Sequence, residues 1–278
     1  MFPLGDVERT NIIPVGTYVL IALNILMFVA QMSQGDVFTT SYAATPYEIT
    51  HNVDITHPFE MPRPVQSFLP RFLVDTYEDE SELVAQGPVA IPIWMTLFTA
   101  MFMHGGWGHL LGNMFFMWIF GDNVEEFLGT PRYILAYLAC GVAAALCQIL
   151  AAPDSVIPTL GASGAIAGLM GMYLVWFPRN RIRVLLPFPL LFIVNIPALW
   201  FIGFWIGIQV VYGFGSLERL GNAGGVAYLA HFGGAVAGIL IGFLFRDRVM
   251  SQRPAWWDES AYGPYPSTVA ASGESRPW

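Results

Sequence analysis

Long apolar runs recur along this chain, and they predict its architecture. Short polar segments separate them, except that a stretch rich in proline and acidic residues, 32–106, follows the first run. Runs of this length predict membrane-spanning helices, because a helix pairs its own backbone polar groups where no water is present. The predicted spans are 15–31, 107–121, 132–151, 163–177, 196–213 and 226–245. We therefore expect an all-α membrane protein with six transmembrane helices.

Composition agrees with a chain embedded in lipid. Of the 278 residues, 55% are hydrophobic and only 12% are charged, which is unusual for a soluble globular domain. The formal net charge is -8, and no lysine accompanies the arginines, so nucleic acid is not an expected partner. The lipid bilayer is the expected environment, and no cofactor is predicted.

Arginine positions predict the orientation. Cytoplasmic loops of membrane proteins are rich in basic residues, and the densest basic group here lies at 179–183. Both termini are therefore expected in the cytoplasm. The expected division is a cytoplasmic N-terminal segment 1–14, a membrane domain 15–246 with an extracytoplasmic loop 32–106, and a flexible cytoplasmic tail 247–278. The first run has no small-residue cleavage site at its end, so it is interpreted as a retained span. The lack of lysine and of a targeting segment favours a bacterial inner membrane.

Polar side chains within three predicted spans lie near one depth. Counting about 1.5 Å per residue from the cytoplasmic ends puts His109, Ser163 and His231 roughly 20–22 Å above that side. Asn113 follows His109 by one helical turn and shares its face. Hydrocarbon offers polar groups no partner, so such residues usually face a protein interior or a water-filled cavity. We expect these side chains to converge below the outer surface.

The fourth apolar run is too short to cross the whole membrane. It extends from 161 to 177, so its N-terminus is expected inside the bilayer, with Gly161, Ala162 and Ser163 at that end. A helix N-terminus has unpaired N–H groups and a positive dipole end, which suit a developing oxyanion. The sequence therefore predicts a buried serine beside backbone donors.

Glycines four residues apart predict which spans touch. Gly164 and Gly168 lie in the fourth run, and Gly234 and Gly238 lie in the sixth. Small residues at this spacing let two helices approach closely. If these faces pack together, the serine and the histidine of the same two spans come within hydrogen-bond distance, as base activation of a serine requires.

Each candidate residue also has a structural interpretation. Ser163 could cap or pack a helix, and His231 could donate to a neighbouring carbonyl. The histidines at 104, 109 and 231 could bind a metal, but no carboxylate or thiol accompanies them at ligand spacing. A transporter could hold a serine and a histidine in a midplane cavity, although it would not explain the short fourth run.

Three motifs, in this order, resemble the rhomboid intramembrane serine proteases. They are His104-Gly-Gly-Trp-Gly-His109-Leu-Leu-Gly-Asn113, Gly161-Ala-Ser163-Gly164 and Ala230-His231-Phe-Gly-Gly234. The similarity covers about Val15 to Arg246. It implies a six-helix rhomboid bundle with a short buried fourth helix and a long first loop. It also implies an activity, the hydrolysis of peptide bonds in or near transmembrane segments of membrane proteins, and single-pass membrane proteins as substrates.

The resemblance further implies residue roles. Ser163 would be the nucleophile and His231 the general base of a dyad, with no acidic third member evident at their depth. The expected oxyanion and substrate-binding residues are His109, Asn113, Gly161, Ala162 and His104. The expected structural residues are Glu125, Trp94 and the four glycines at 164, 168, 234 and 238.

The chain departs from the family pattern at two positions. Met95 stands where the family often has arginine, and Ala167 stands where some members place an aromatic ring beneath the histidine. An inactive rhomboid-like protein that binds membrane clients is a further alternative. Such proteins usually lack one residue of the dyad, and both are present here.

Overall fold

The computed structural model describes residues 2–7, 10–56, 59–64, 77–84, 87–186, 192–216 and 227–252, and helices form most of this part. They are α1 (Val15–Gln34), α2 (Asp36–Tyr42), α3 (Pro46–His51), α4 (Thr96–Thr99), α5 (Trp107–Leu128), α6 (Thr130–Ala151), α7 (Ser163–Trp176), α8 (Ala198–Ser216) and α9 (Tyr228–Gln252). Two 3-10 turns, Ile93–Met95 and Ala100–Phe102, flank α4. The mainly helical fold that the apolar runs predict is present.

Length and apolar character identify membrane-crossing helices. In the described part, α1, α6 and α9 are long and apolar enough to cross a bilayer, whereas α7 and α8 are shorter apolar helices. Large apolar side chains also point outward, and Leu26, Leu135 and Leu244 are 65%, 66% and 78% exposed. Exposed apolar surface of this kind suits contact with lipid. The chain is a helical membrane protein.

The all-α expectation is incomplete, because the described part also contains strands. They are β1 (Phe2–Asp6), β2 (Phe59–Pro64), β3 (Tyr77–Val84), β4 (Arg181–Leu186) and β5 (Phe192–Pro197). β2 and β3 form an antiparallel pair, and β1, β4 and β5 form an antiparallel sheet in the order β1–β4–β5. In β4, Ile182 and Val184 alternate with arginines and are fully buried. This alternation is the period of a strand with one face on the core.

The three-stranded sheet joins the N-terminal segment to the loop after α7. Backbone pairing extends from Phe2 opposite Leu185 to Asp6 opposite Ile182. Segments joined by backbone hydrogen bonds must lie on the same side of the bilayer. The arginine positions predict that residues 1–14 share a side with 178–183, and the pairing agrees with that. The N-terminal segment is nevertheless partly a strand.

α7 occupies the centre of the bundle. Every residue from Gly164 to Tyr173 is buried, and its 14 residues make it about 21 Å long. Helices α6 and α9 pack against it through small residues, since a Cβ on Gly164 would stand 2.5 Å from that of Ala144 on α6. The fourth apolar run is thus a short, buried helix at the centre of the bundle.

The first loop folds against the segment that leads into α7. Between α2 and α3, the N–H of Ala44 donates to the carbonyl of Thr159 (2.9 Å), and the N–H of Thr159 donates back (2.8 Å). The loop therefore fixes residues only four positions before Ser163. At the other end of the chain, α9 continues to Gln252, past the predicted domain end at 246. The rest of the predicted tail, 253–278, lies outside the described residues.

Candidate active site

Ser163 and His231 are in hydrogen-bond contact. The Nε2 atom of His231 lies 2.7 Å from Oγ of Ser163, and His231 is 8% exposed. The predicted glycine faces bring the two helices together, because a Cβ on Gly234 of α9 would collide with the carbonyl oxygen of Gly164 on α7. A half-buried serine hydroxyl that contacts an imidazole nitrogen has the geometry of a base-activated nucleophile.

The backbone before Ser163 requires glycine. Gly161 has φ +126°, a conformation that side chains rarely adopt, and its Cβ would lie 2.7 Å from Cε1 of His109. The N–H of Gly161 donates to the carbonyl of Ala100 (2.8 Å). Ala162 is fully buried and precedes the first helical residue, Ser163. The backbone therefore passes from the positive φ of Gly161 through a helical Ala162 into α7 at the serine, with the N–H groups of the first turn at the same end.

His109 presents a ring N–H close to the serine. The N–H of Gly105 donates to Nδ1 of His109 (3.3 Å), so the neutral ring holds its proton on Nε2. The position that a Cβ on Gly161 would take is 2.8 Å from this Nε2 and 3.7 Å from Oγ of Ser163. The His109 side chain is exposed at the site. It can therefore donate to an oxygen beside the serine.

Asn113 supplies a second side-chain donor from the same face of α5. It is 7% exposed, and its Nδ2 has no hydrogen-bond partner among the described residues. A buried amide nitrogen without a partner is costly unless a ligand uses it. A polar group that forms there during a reaction would satisfy this donor.

His104 lies behind His109. Its ring centroid is 5.2 Å from that of His109, and its ring is 2% exposed. The side-chain amide of Gln31 on α1 holds its backbone, accepting from the His104 N–H (2.9 Å) and donating to the His104 carbonyl (3.1 Å). Burial, and next the nearby His109, lower the pKa of His104 to about 4. His104 is uncharged at neutral pH and packs the site from behind.

Two residues of α8 contact His231, and the prediction from sequence did not include them. Oε1 of Gln209 lies 2.7 Å from Nδ1 of His231, and the ring of Trp205 lies 5.5 Å from the imidazole at an interplanar angle of 35°. Trp205 supplies the aromatic contact that Ala167 does not. A signal for Gln209 was present, because it is a polar residue inside the predicted span 196–213.

The structural candidates have different environments. Glu125 is fully buried, and its carboxylate accepts four hydrogen bonds, from Gly16 N–H, from the N–H and hydroxyl of Thr17, and from the Thr130 hydroxyl. It thereby ties the first turn of α1 to the end of α5. Trp94 lies in the first loop and is 60% exposed, with its ring 6.5 Å from that of Phe98. It lies at the surface, away from the core.

Among the described residues, no cluster of three or more histidine, cysteine or acidic side chains has the geometry to bind a metal. The serine–histidine contact lies at the N-terminus of α7, the His109 ring lies beside Gly161, and Asn113 follows His109 by one turn on α5. Their arrangement suits acyl transfer to a serine hydroxyl.

Comparison with known proteins gives a family. The Rhomboid domain model matches residues 92–248. Rhomboid protein 1, mitochondrial, of Saccharomyces cerevisiae is 29% identical over 163 residues, which are 57% of this chain and 44% of that protein. Rhomboid-like protein 11, chloroplastic, of Arabidopsis thaliana is 39% identical over 99 residues, 34% of this chain and 35% of that protein. Rhomboid protease GluP of Bacillus subtilis is 36% identical over 102 residues, 37% of this chain and 18% of that protein.

The chain thus spans less than half the length of these relatives. Because the domain match covers more than half of its 278 residues, the chain belongs to the rhomboid family.

Proposed function

We propose that this protein is an intramembrane serine protease, with Ser163 as nucleophile and His231 as general base. The observation that supports this most strongly is the 2.7 Å contact between Oγ of Ser163 and Nε2 of His231 at a buried helix N-terminus. Membership of the rhomboid family, and relatives that include a rhomboid protease, support the same reaction. The proposed reaction is hydrolysis of peptide bonds in or near transmembrane segments.

In the first half-reaction Ser163 is acylated by the substrate. Nε2 of His231 takes the proton of the Ser163 hydroxyl as Oγ bonds to the substrate carbonyl carbon, whose oxygen becomes an oxyanion. The tetrahedral intermediate then expels the amine, which receives the proton from His231. Water, deprotonated by the same imidazole, hydrolyses the acyl-enzyme and restores the serine.

Three kinds of donor are proposed to stabilise the oxyanion. They are the ring N–H of His109, the side-chain amide of Asn113, and the backbone N–H groups of the first turn of α7. Nδ2 of Asn113 has no partner among the described residues. Donors held rigidly in a site of low dielectric constant stabilise developing charge strongly. Gly161 and Ala162 shape the backbone approach to these donors. The buried His104 supports the His109 ring and takes no proton.

The proposed membrane architecture has six spans: α1, α5, α6, α7, α8 and α9. The pairing of β1 with β4 supports an even number of crossings between them, which α1, α5, α6 and α7 supply. Arginines 179, 181 and 183 support a cytoplasmic location for that sheet and for both termini. The proposed location is a bacterial inner membrane, and the proposed substrates are single-pass membrane proteins. Local unwinding of the substrate helix would expose its carbonyl groups to the serine.

Cleavage by the reconstituted protein tests this proposal. The full chain is placed in liposomes with a model single-pass membrane protein, and both fragments are identified by mass spectrometry. We expect cleavage by the wild type and none by Ser163→Ala or His231→Ala. A fluorophosphonate probe should label the wild type at Ser163, which identifies the nucleophile directly.

The same experiment separates the alternatives. Binding of the substrate without cleavage or probe labelling by the wild type would indicate an inactive rhomboid-like protein. Solute uptake into the liposomes without cleavage would indicate a transporter. Cleavage that survives Ser163→Ala would contradict the assigned nucleophile, whatever the family.

A further inference from the structure

The imidazole of His231 has a partner at each nitrogen. Nε2 contacts Ser163, and Nδ1 lies 2.7 Å from Oε1 of Gln209 on α8. Gln209 is 6% exposed, so this second hydrogen bond is buried. Trp205, one helical turn earlier on the same face of α8, packs beside the ring. The imidazole is therefore held by a helix that supplies neither member of the dyad.

The amide oxygen of Gln209 determines which nitrogen of His231 is protonated. An amide oxygen only accepts hydrogen bonds, so Nδ1 must be the donor in this contact. In the neutral ring the other nitrogen, Nε2, then has a free lone pair. That lone pair faces the Ser163 hydroxyl, which is the arrangement a general base requires. With the proton on Nε2 instead, the imidazole could not accept the serine proton.

We propose that Gln209 is the positioning residue of this site, a neutral counterpart of the carboxylate in a catalytic triad. It orients the ring and fixes its tautomer, while Trp205 restricts rotation of the ring. This inference rests on the proposed protease function. An uncharged acceptor stabilises the imidazolium less than a carboxylate would, because it brings no opposite charge. In the described part of the chain, no carboxylate pairs with His231.

Replacement of Gln209 by residues of similar length tests its role. Gln209→Met keeps the volume and removes the acceptor, whereas Gln209→Glu keeps an oxygen at the same position. We expect Gln209→Met to lower kcat at least about tenfold with little change in KM, since general base catalysis is impaired while substrate contacts remain. Gln209→Glu should retain more activity than Gln209→Met. Its acid limb in the pH profile of kcat/KM should move to higher pH, because a carboxylate favours the protonated imidazole.

Labelling by the fluorophosphonate probe gives a second readout that needs no protein substrate. The labelling rate of Ser163 should fall in Gln209→Met in parallel with kcat. Val211→Met is the control on the same helix, because Val211 is 70% exposed and points away from the site. It should leave both rates unchanged. If Gln209→Met does not fold, Gln209→Asn replaces it: the amide stays, but its oxygen is withdrawn by one methylene, and the same loss in kcat is expected.

The outcomes distinguish this inference from the protease proposal. Normal kcat and labelling in Gln209→Met, or in Gln209→Asn where that variant replaces it, would overturn the role of Gln209 and leave the dyad intact. An unshifted pH profile in an active Gln209→Glu would also count against it. No cleavage and no labelling by the wild type would overturn the protease function and the inference together.

Discussion

The backbone of Gly238 on α9 lies directly against the carbonyl oxygen of Gly168 on α7, with no space for a side chain between them. One turn towards the active site, Gly234 contacts Gly164 in the same way. These contacts determine how far apart the helices with the proposed nucleophile and base can be. The spacing of Ser163 and His231 therefore depends on glycines that do not contact the reacting atoms.

Alanine at Gly238 should separate the two helices. Its Cβ would collide with backbone atoms of Gly168, which cannot rotate away, so we expect a loss of roughly 1–3 kcal/mol or more in stability. The serine–histidine contact should lengthen, and kcat should fall with it. Gly207→Ala is the matched control: Gly207 also lies inside a helix, but a Cβ there would meet no atom within 4 Å. Alanine favours helix over glycine, so Gly207→Ala should keep the activity and the apparent Tm in detergent. If the two variants have the same activity and the same apparent Tm, the close contact of Gly238 with Gly168 does not determine the helix spacing.

Much of the site could be predicted from sequence because its determinants are local. Apolar runs set the helices, glycines four apart set the α7–α9 contact, and counting residues along three helices gives one depth for Ser163, His109 and His231. Each of these inferences depends on helix geometry alone. The short α7, which begins at the serine, follows from the same counting.

The features that the sequence did not predict depend on contacts between segments that are far apart in the chain. β1 pairs with a strand about 180 residues later, and its sequence Phe2-Pro-Leu-Gly-Asp6 lacks the alternation that marks a strand. Gln209 was visible as a polar residue in a span, but only the packing of α8 on α9 shows that its oxygen meets Nδ1 of His231. The sequence could not indicate that contact.

Glu125 should be a stability residue. Its Oε1 accepts from the Gly16 N–H (2.7 Å) and the Thr130 hydroxyl (2.6 Å), and its Oε2 accepts twice from Thr17. Glu125→Gln would turn an NH₂ group towards donors on one side, leaving buried N–H and O–H groups unpaired. We expect a loss of about 3 kcal/mol, because buried charge-assisted bonds are broken. For a domain of this size the apparent Tm should fall by roughly 6 °C or more.

The neighbouring Glu126 provides the comparison for Glu125. Its Oε1 accepts a long, exposed hydrogen bond from the Asn11 N–H (3.3 Å), in place of the short buried bonds that Glu125 accepts. Glu126→Gln should therefore lower the apparent Tm much less than Glu125→Gln. Both variants should keep the wild-type cleavage rate per folded molecule, since neither side chain reaches the dyad. A Glu125→Gln protein with unchanged Tm would show that these hydrogen bonds contribute little.

Asn113 should affect activity without affecting stability. Its Nδ2 is buried with no partner in the described structure, so Asn113→Leu breaks no hydrogen bond of that atom, and the apparent Tm should hold or rise. If the amide donates to the oxyanion, kcat should fall about 10²- to 10³-fold, with KM nearly unchanged. Asn24 on α1 is the matched control, because it is fully buried and its Nδ2 donates to the Leu20 carbonyl (2.7 Å). Asn24→Leu should show the opposite pattern, a lower Tm with normal kcat. An Asn113→Leu protein that cleaves at the wild-type rate would remove Asn113 from the oxyanion site, and a matching fall in Tm would assign it a structural role instead.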